Sequence, residues 1–153
     1  MSTGAKFNIN PSFETAVYAS FLFISGLTLP VFLIFIIRFT GYSEIIEEIA
    51  KALIIFFLIL KMPGFKIKIL AGIIFGFLFG LSENFLYLNQ IFQSGILSVF
   101  WQRFLWTVPM HVITVSVMVF AGMIKKRFLI LGLVGAIILH LLFNRIAVEF
   151  LIW

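Results

Sequence analysis

Apolar residues run along this chain in long blocks, not in alternation. Five blocks can be drawn, at about 16–37, 43–60, 67–91, 97–124 and 128–153, divided by short polar breaks. An α-helix rises 1.5 Å per residue and a bilayer core is about 30 Å thick, so a span takes about 20 residues. The blocks approach or exceed that length. They are too long for barrel strands and lack a period of two, so their backbone must be satisfied internally, as helix. The pattern predicts an all-α, polytopic transmembrane helix bundle of about five spans, with residues 1–153 as a single membrane domain. Pro30 in the first block and Pro109 in the fourth are expected to kink their helices.

Composition narrows the solvent. Of 153 residues, 63% are hydrophobic and only 11% charged, and the mean hydropathy is +1.21. A soluble domain of this size needs far more charge on its surface, so lipid is the expected surrounding. There is no cysteine, which removes disulfides, thiolate metal ligands and thiol catalysis. The net charge of +5 does not indicate nucleic acid, because no basic stripe with interleaved aromatics lies outside the apolar blocks. The cations instead mark loops: Lys61, Lys66 and Lys68 between the second and third blocks, and Lys125, Lys126 and Arg127 between the fourth and fifth. The intervening break, 90–100, is uncharged. The positive-inside rule then puts both basic loops and the N-terminus, with Lys6, in the cytoplasm, and the C-terminus outside. Arg38 is the basic residue that does not fit. The N-terminal segment lacks the basic-then-apolar order of a cleaved signal, so the first span is expected to be retained. An integral protein of a prokaryotic cell membrane is expected.

Ionisable residues inside such blocks are expensive and suggest function. Glu44, Glu47, Glu48 and Lys51 recur at i, i+3, i+4 and i+7, on one helix face, with Glu47 positioned to pair with Lys51. Glu44 reads as an interfacial charge at the headgroups. In the third block Gly72, Gly76 and Gly80 repeat at every fourth position; Asn84 continues the stripe and Glu83 borders it. Small residues at that spacing admit a close neighbouring helix, which would turn Glu83 inward. Arg103, Thr107, His111 and Thr114 share a face of the fourth block, as Gly132, Ala136, His140 and Asn144 do in the fifth. At 1.5 Å per residue, Glu47 lies roughly 6 Å, Glu83 about 13 Å and His111 about 15–20 Å from the outer ends of their spans, and His140 about 18 Å from the inner end. All four depths fall between mid-bilayer and the outer leaflet.

These residues form an ordered set: Glu47-Glu48-x-x-Lys51, Phe79-x-x-x-Glu83 followed by Asn84, His111, and His140-x-x-x-Asn144. The set resembles the PrsW-like intramembrane proteases, in the superfamily of the type II CAAX prenyl endopeptidases and bacteriocin-processing proteases. The resemblance covers Glu47 to Asn144. It implies hydrolysis of a membrane-associated polypeptide, with Glu47 activating water and His111, His140 and Asn144 orienting it and stabilising the oxyanion. Glu48 and Glu83 complete the expected catalytic group, supported by Lys51, Asn84 and Arg103. The CAAX branch has a histidine where this chain has Glu83, so the resemblance does not extend to prenylated substrates. The PrsW-like branch usually has a longer chain with more spans, so the chain reads as a minimal core or a distant relative.

The chemistry accommodates two versions. A buried glutamate can act as general base, with His and Asn donors for the tetrahedral intermediate. Alternatively, His111, His140 and Glu83 or another carboxylate could hold zinc with an open position for water. HExxH is absent, and the expectation leans to the metal-free glutamate route. A proton-coupled transporter or an inactive membrane scaffold would also use buried Glu and His residues; the absence of an inverted repeat argues against the transporter.

Overall fold

The computed structural model describes residues 11–94 and 97–150. Among them the chain forms six α-helices and no strand: α1 (Pro11–Thr40), α2 (Ser43–Phe57), α3 (Phe65–Leu86), α4 (Leu88–Ser94), α5 (Leu97–Ile124) and α6 (Leu129–Phe150). Single 3₁₀ turns, Ile59–Lys61 and Lys126–Phe128, follow α2 and precede α6. The helices run through Pro30 and Pro109. α1 ends at Gly41, whose φ of 74° a glycine adopts without penalty, and the Gly41 N–H closes the last turn on the Ile37 carbonyl at 2.8 Å.

Four helices are long and apolar enough to cross a membrane: α1, α3, α5 and α6. The second expected span is realised differently. α2 has 15 residues, about 22 Å of helix, and is continued by its 3₁₀ turn. It is not among the helices long enough to cross, and its two ends are held by different neighbours. Its first turn meets α6 where Asn144 donates to Glu44, and Leu60, just past its end, lies against Gly122 near the end of α5. The third expected span, 67–91, is divided: α3 stops at Leu86, and α4 is a separate short helix.

Packing is organised around α5, which contacts α3, α6 and α2, while α1 lies against α3 and α2. Close backbone approach makes this possible. A Cβ on Gly76 would stand 2.8 Å from Val112 Cα, one on Gly80 would stand 2.9 Å from Val108 Cα, and one on Gly72 would meet Val119 Cγ2 at 3.0 Å. The glycine stripe of α3 is therefore the seam with α5. Gly132 of α6 is as close to Met118 Cα, at 2.9 Å, on another side of α5. The core joins Ile55, Ile59, Phe75, Phe79, Val115, Met118 and Ala136. Outward positions are apolar too: Phe32, Phe35, Trp101, Leu105, Ile130 and Leu131 are exposed. In water such a surface would drive aggregation; in a bilayer it is the lipid-facing coat. The protein is an integral membrane protein.

Candidate active site

The apolar blocks leave one polar interior, and it lies where α2, α3, α5 and α6 converge. The face of α2 anticipated from the spacing points inward: Glu47, Glu48 and Lys51 are buried and Glu44 is half-buried. His111 and His140 are buried opposite them, their rings perpendicular with centroids 5.3 Å apart.

The hydrogen bonds form a chain across four helices. His140 Nδ1 is 2.8 Å from Glu48 Oε1, and Lys51 Nζ donates to the same oxygen at 2.7 Å. Lys51 Nζ is also 2.6 Å from His111 Nδ1 and 4.3 Å from the centroid of the Phe79 ring. His111 Nε2 is hydrogen-bonded to Glu83 Oε2. Arg103 Nη2 stands 3.6 Å from Glu83 Oε1, and its guanidinium lies 4.0 Å over the Tyr87 ring. An ammonium has only hydrogens to offer, so His111 Nδ1 accepts from Lys51 and its Nε2–H donates to Glu83.

Pairing within α2 differs from the simplest reading of its spacing. The i, i+4 rule favours Glu47 as the partner of Lys51, yet Lys51 pairs with Glu48 at i, i+3. The reason is tertiary: the Lys51 stem is drawn toward His111 on α5, and Glu48 is the acid facing that gap. Glu47 is left apart, with Oε2 buried and without a partner. Glu48 Oε2 and both polar atoms of the Asn84 amide are likewise buried and unpartnered. Glu47, His111 and His140 each present one ligand atom, and the three atoms lie within 4.8 Å of one another. The carboxylate in this group is Glu47, while Glu83, considered for that position from sequence, sits on His111 Nε2.

A cavity of about 250 Å³ opens beside the cluster, between α1, α2 and α3. Glu47 and Glu83 form its acidic wall; Pro30, Ile37, Arg38 and Tyr87 are also part of its lining. The grooves flanking Pro109 on α5 are lined without an ionisable group, so they offer no comparable chemistry.

Three further residues adjoin the cluster. Asn144 donates from Nδ2 to Glu44 Oε1 at 2.9 Å, tying α6 to the first turn of α2. Glu44 is thus part of the helix-to-helix network. Tyr87 was not singled out from the sequence, although it stands at i+4 from Glu83 and continues the spacing that links Phe79 to Glu83.

No curated protein and no solved structure matches the chain. A family model does, over residues 35–152, a stretch that begins near the end of α1 and contains every member of the buried network. That match covers well over half of the sequence, and the chain belongs to the PrsW family of intramembrane metalloproteases.

Proposed function

We propose that this protein cuts a membrane-associated polypeptide at the cavity bounded by Glu47 and Glu83, using a divalent metal held by Glu47, His111 and His140. The observation that carries the reading is the convergence of those three ligand atoms within 4.8 Å beside an accessible cavity.

The residues fit a zinc-class ion. Two imidazoles and a carboxylate are a donor set of hydrolytic zinc sites, which keep a position open for water. Glu47 Oε2 is a buried acceptor with nothing to accept from, a costly arrangement unless another group completes it. Each histidine also rests one nitrogen on a carboxylate, His140 on Glu48 and His111 on Glu83. Such partners orient a metal-binding imidazole; the other nitrogen of His140 is then left for the ion, while that of His111 faces Lys51. When bound, the ion would supply Lewis acidity toward water and the scissile carbonyl.

The protein's own groups do the rest. Glu48 fixes the His140 ring, and Glu83, braced by Arg103, fixes the His111 ring. Glu47 would help to hold the ion, and its carboxylate is the group placed to accept the proton of the attacking water. It would then deliver that proton to the leaving amine, so it keeps the role of general base that the resemblance implies. The apolar surround lowers the local dielectric and strengthens each of these interactions.

The test is cleavage of a single-span protein in liposomes by purified enzyme, with Glu47→Gln as control. Cleavage by the wild type, lost on chelation, restored by zinc and absent in Glu47→Gln, supports the reading. Cleavage indifferent to chelator removes the metal and leaves the glutamate route. Intact substrate together with proton movement that Glu47→Gln abolishes overturns the protease reading.

A further inference from the structure

Lys51 stands where a metal ligand should be free. If His111 holds the ion while Nε2 stays on Glu83, its ligand atom is Nδ1, and Lys51 Nζ lies 2.6 Å from that nitrogen. We propose that the Lys51 ammonium is the resident cation of the metal-free site, donating to His111 Nδ1 until a divalent ion displaces it. This inference rests on the metal reading above and adds a gating role for a residue outside the ligand set.

Three observations support displacement over a permanent bond. First, Lys51 has somewhere to go. It already pairs with Glu48 Oε1 and lies over Phe79, and Glu48 Oε2 is buried with no partner. Giving up His111 leaves the ammonium with a carboxylate that has a spare acceptor and with an aromatic face, so its charge is not stranded. Second, the exchange conserves charge type: one cation leaves Nδ1 as another arrives. Third, the lysine prepares the ligand. By donating to Nδ1 it holds His111 in the tautomer protonated at Nε2, which is the tautomer that coordination through Nδ1 requires. The site is preorganised yet occupied. Apparent metal affinity is then the intrinsic affinity multiplied by the fraction of molecules in which Lys51 has swung away.

The experiment uses zinc ion alone as probe, with the full-length protein in detergent. Lys51→Met retains the length of the stem and removes the ammonium. Competition against a zinc chelator is expected to show Lys51→Met binding roughly tenfold tighter or better; equal or weaker binding overturns the proposal. That variant leaves Glu48 buried with His140 alone and can fail to fold, so the wild type carries a second readout. In ¹⁵N-histidine-labelled protein, zinc should move the His111 Nδ1 resonance to a metal-bound position while Nε2 keeps its proton. Loss of the Nε2 proton instead would mean that the ion binds on the Glu83 side and Lys51 stays, which overturns this inference but not the metal reading. A wild type that binds no zinc in either measurement overturns both.

Discussion

Gly76 lies so close to His111 that a Cβ built on the glycine would meet the His111 carbonyl oxygen at 2.8 Å and the Val112 Cα at the same distance. Both neighbours are backbone, which cannot turn aside as a flexible side chain can. The contact sets how far α3 stands from α5, and therefore where Glu83 stands relative to the His111 ring. Gly76→Leu is expected to push the helices apart, at a cost of about 1–3 kcal/mol or more from overpacking, and to abolish activity. Thermal unfolding in detergent checks it; a normal melting temperature with normal activity would mean that the seam tolerates a side chain.

Glu47 and Glu48 are neighbours with opposite expected behaviour. Glu47 has a buried oxygen without a partner, and a neutral amide is cheaper to bury than a carboxylate. Glu47→Gln is expected to fold, to lower the cleavage rate by about 10²- to 10⁴-fold, and to lose zinc. In the wild type, zinc at about a hundred times its dissociation constant should stabilise by about 2.7 kcal/mol. Unfolding scans with and without zinc should show that increment in the wild type and little of it in Glu47→Gln.

Glu48 accepts from both Lys51 and His140 through one oxygen. Glu48→Gln leaves the Lys51 ammonium buried without a counter-charge, a defect worth about 3–5 kcal/mol. The expected result is a large drop in unfolding temperature before any assay of activity. Equal stability for the Glu47→Gln and Glu48→Gln proteins would contradict the pairing.

Asn144 donates to Glu44 across two helices. A double-mutant cycle with Asn144→Ala and Glu44→Ala is expected to give a stability coupling of about 1.5–3 kcal/mol, the range for a hydrogen bond to a charged group. Additive losses would show that the two side chains act independently, and would return Asn144 to consideration as a donor to substrate.

Orientation in the membrane is expected to follow the cations. Phe65, at the start of α3, packs on Phe120, near the end of α5, with ring centroids 6.3 Å apart. The basic residues that follow Phe65 and those that follow α5 therefore share one end of the bundle, the end predicted to be cytoplasmic. Reporter fusions at Lys66 and Lys126 should both score as inside. Opposite scores would refute the assignment.

Much of this protein is legible in its sequence because membrane helices obey one-dimensional rules. Block length determines that helices cross the bilayer, and the i, i+3, i+4 spacing determines that Glu47, Glu48 and Lys51 share a face, as it does for Gly72, Gly76 and Gly80. What a face meets is a different matter. Periodicity orders residues around one helix axis, but it does not set the rotation of one helix against the next. That rotation decided that Lys51 turns to Glu48 and His111 instead of Glu47, and that Asn144 reaches Glu44. It also put Glu47 within reach of both histidines, while Glu83 pairs, of the two, with His111 alone. Span length was similarly incomplete: the block 43–60 reads as a crossing, yet its helix, α2, stops after 15 residues and gives way to a 3₁₀ turn. Chain-local energetics decide which residues are helical and which are turned inward; partners 60 or 92 positions apart, as in Lys51–His111 and Glu48–His140, are decided by how whole helices pack against one another.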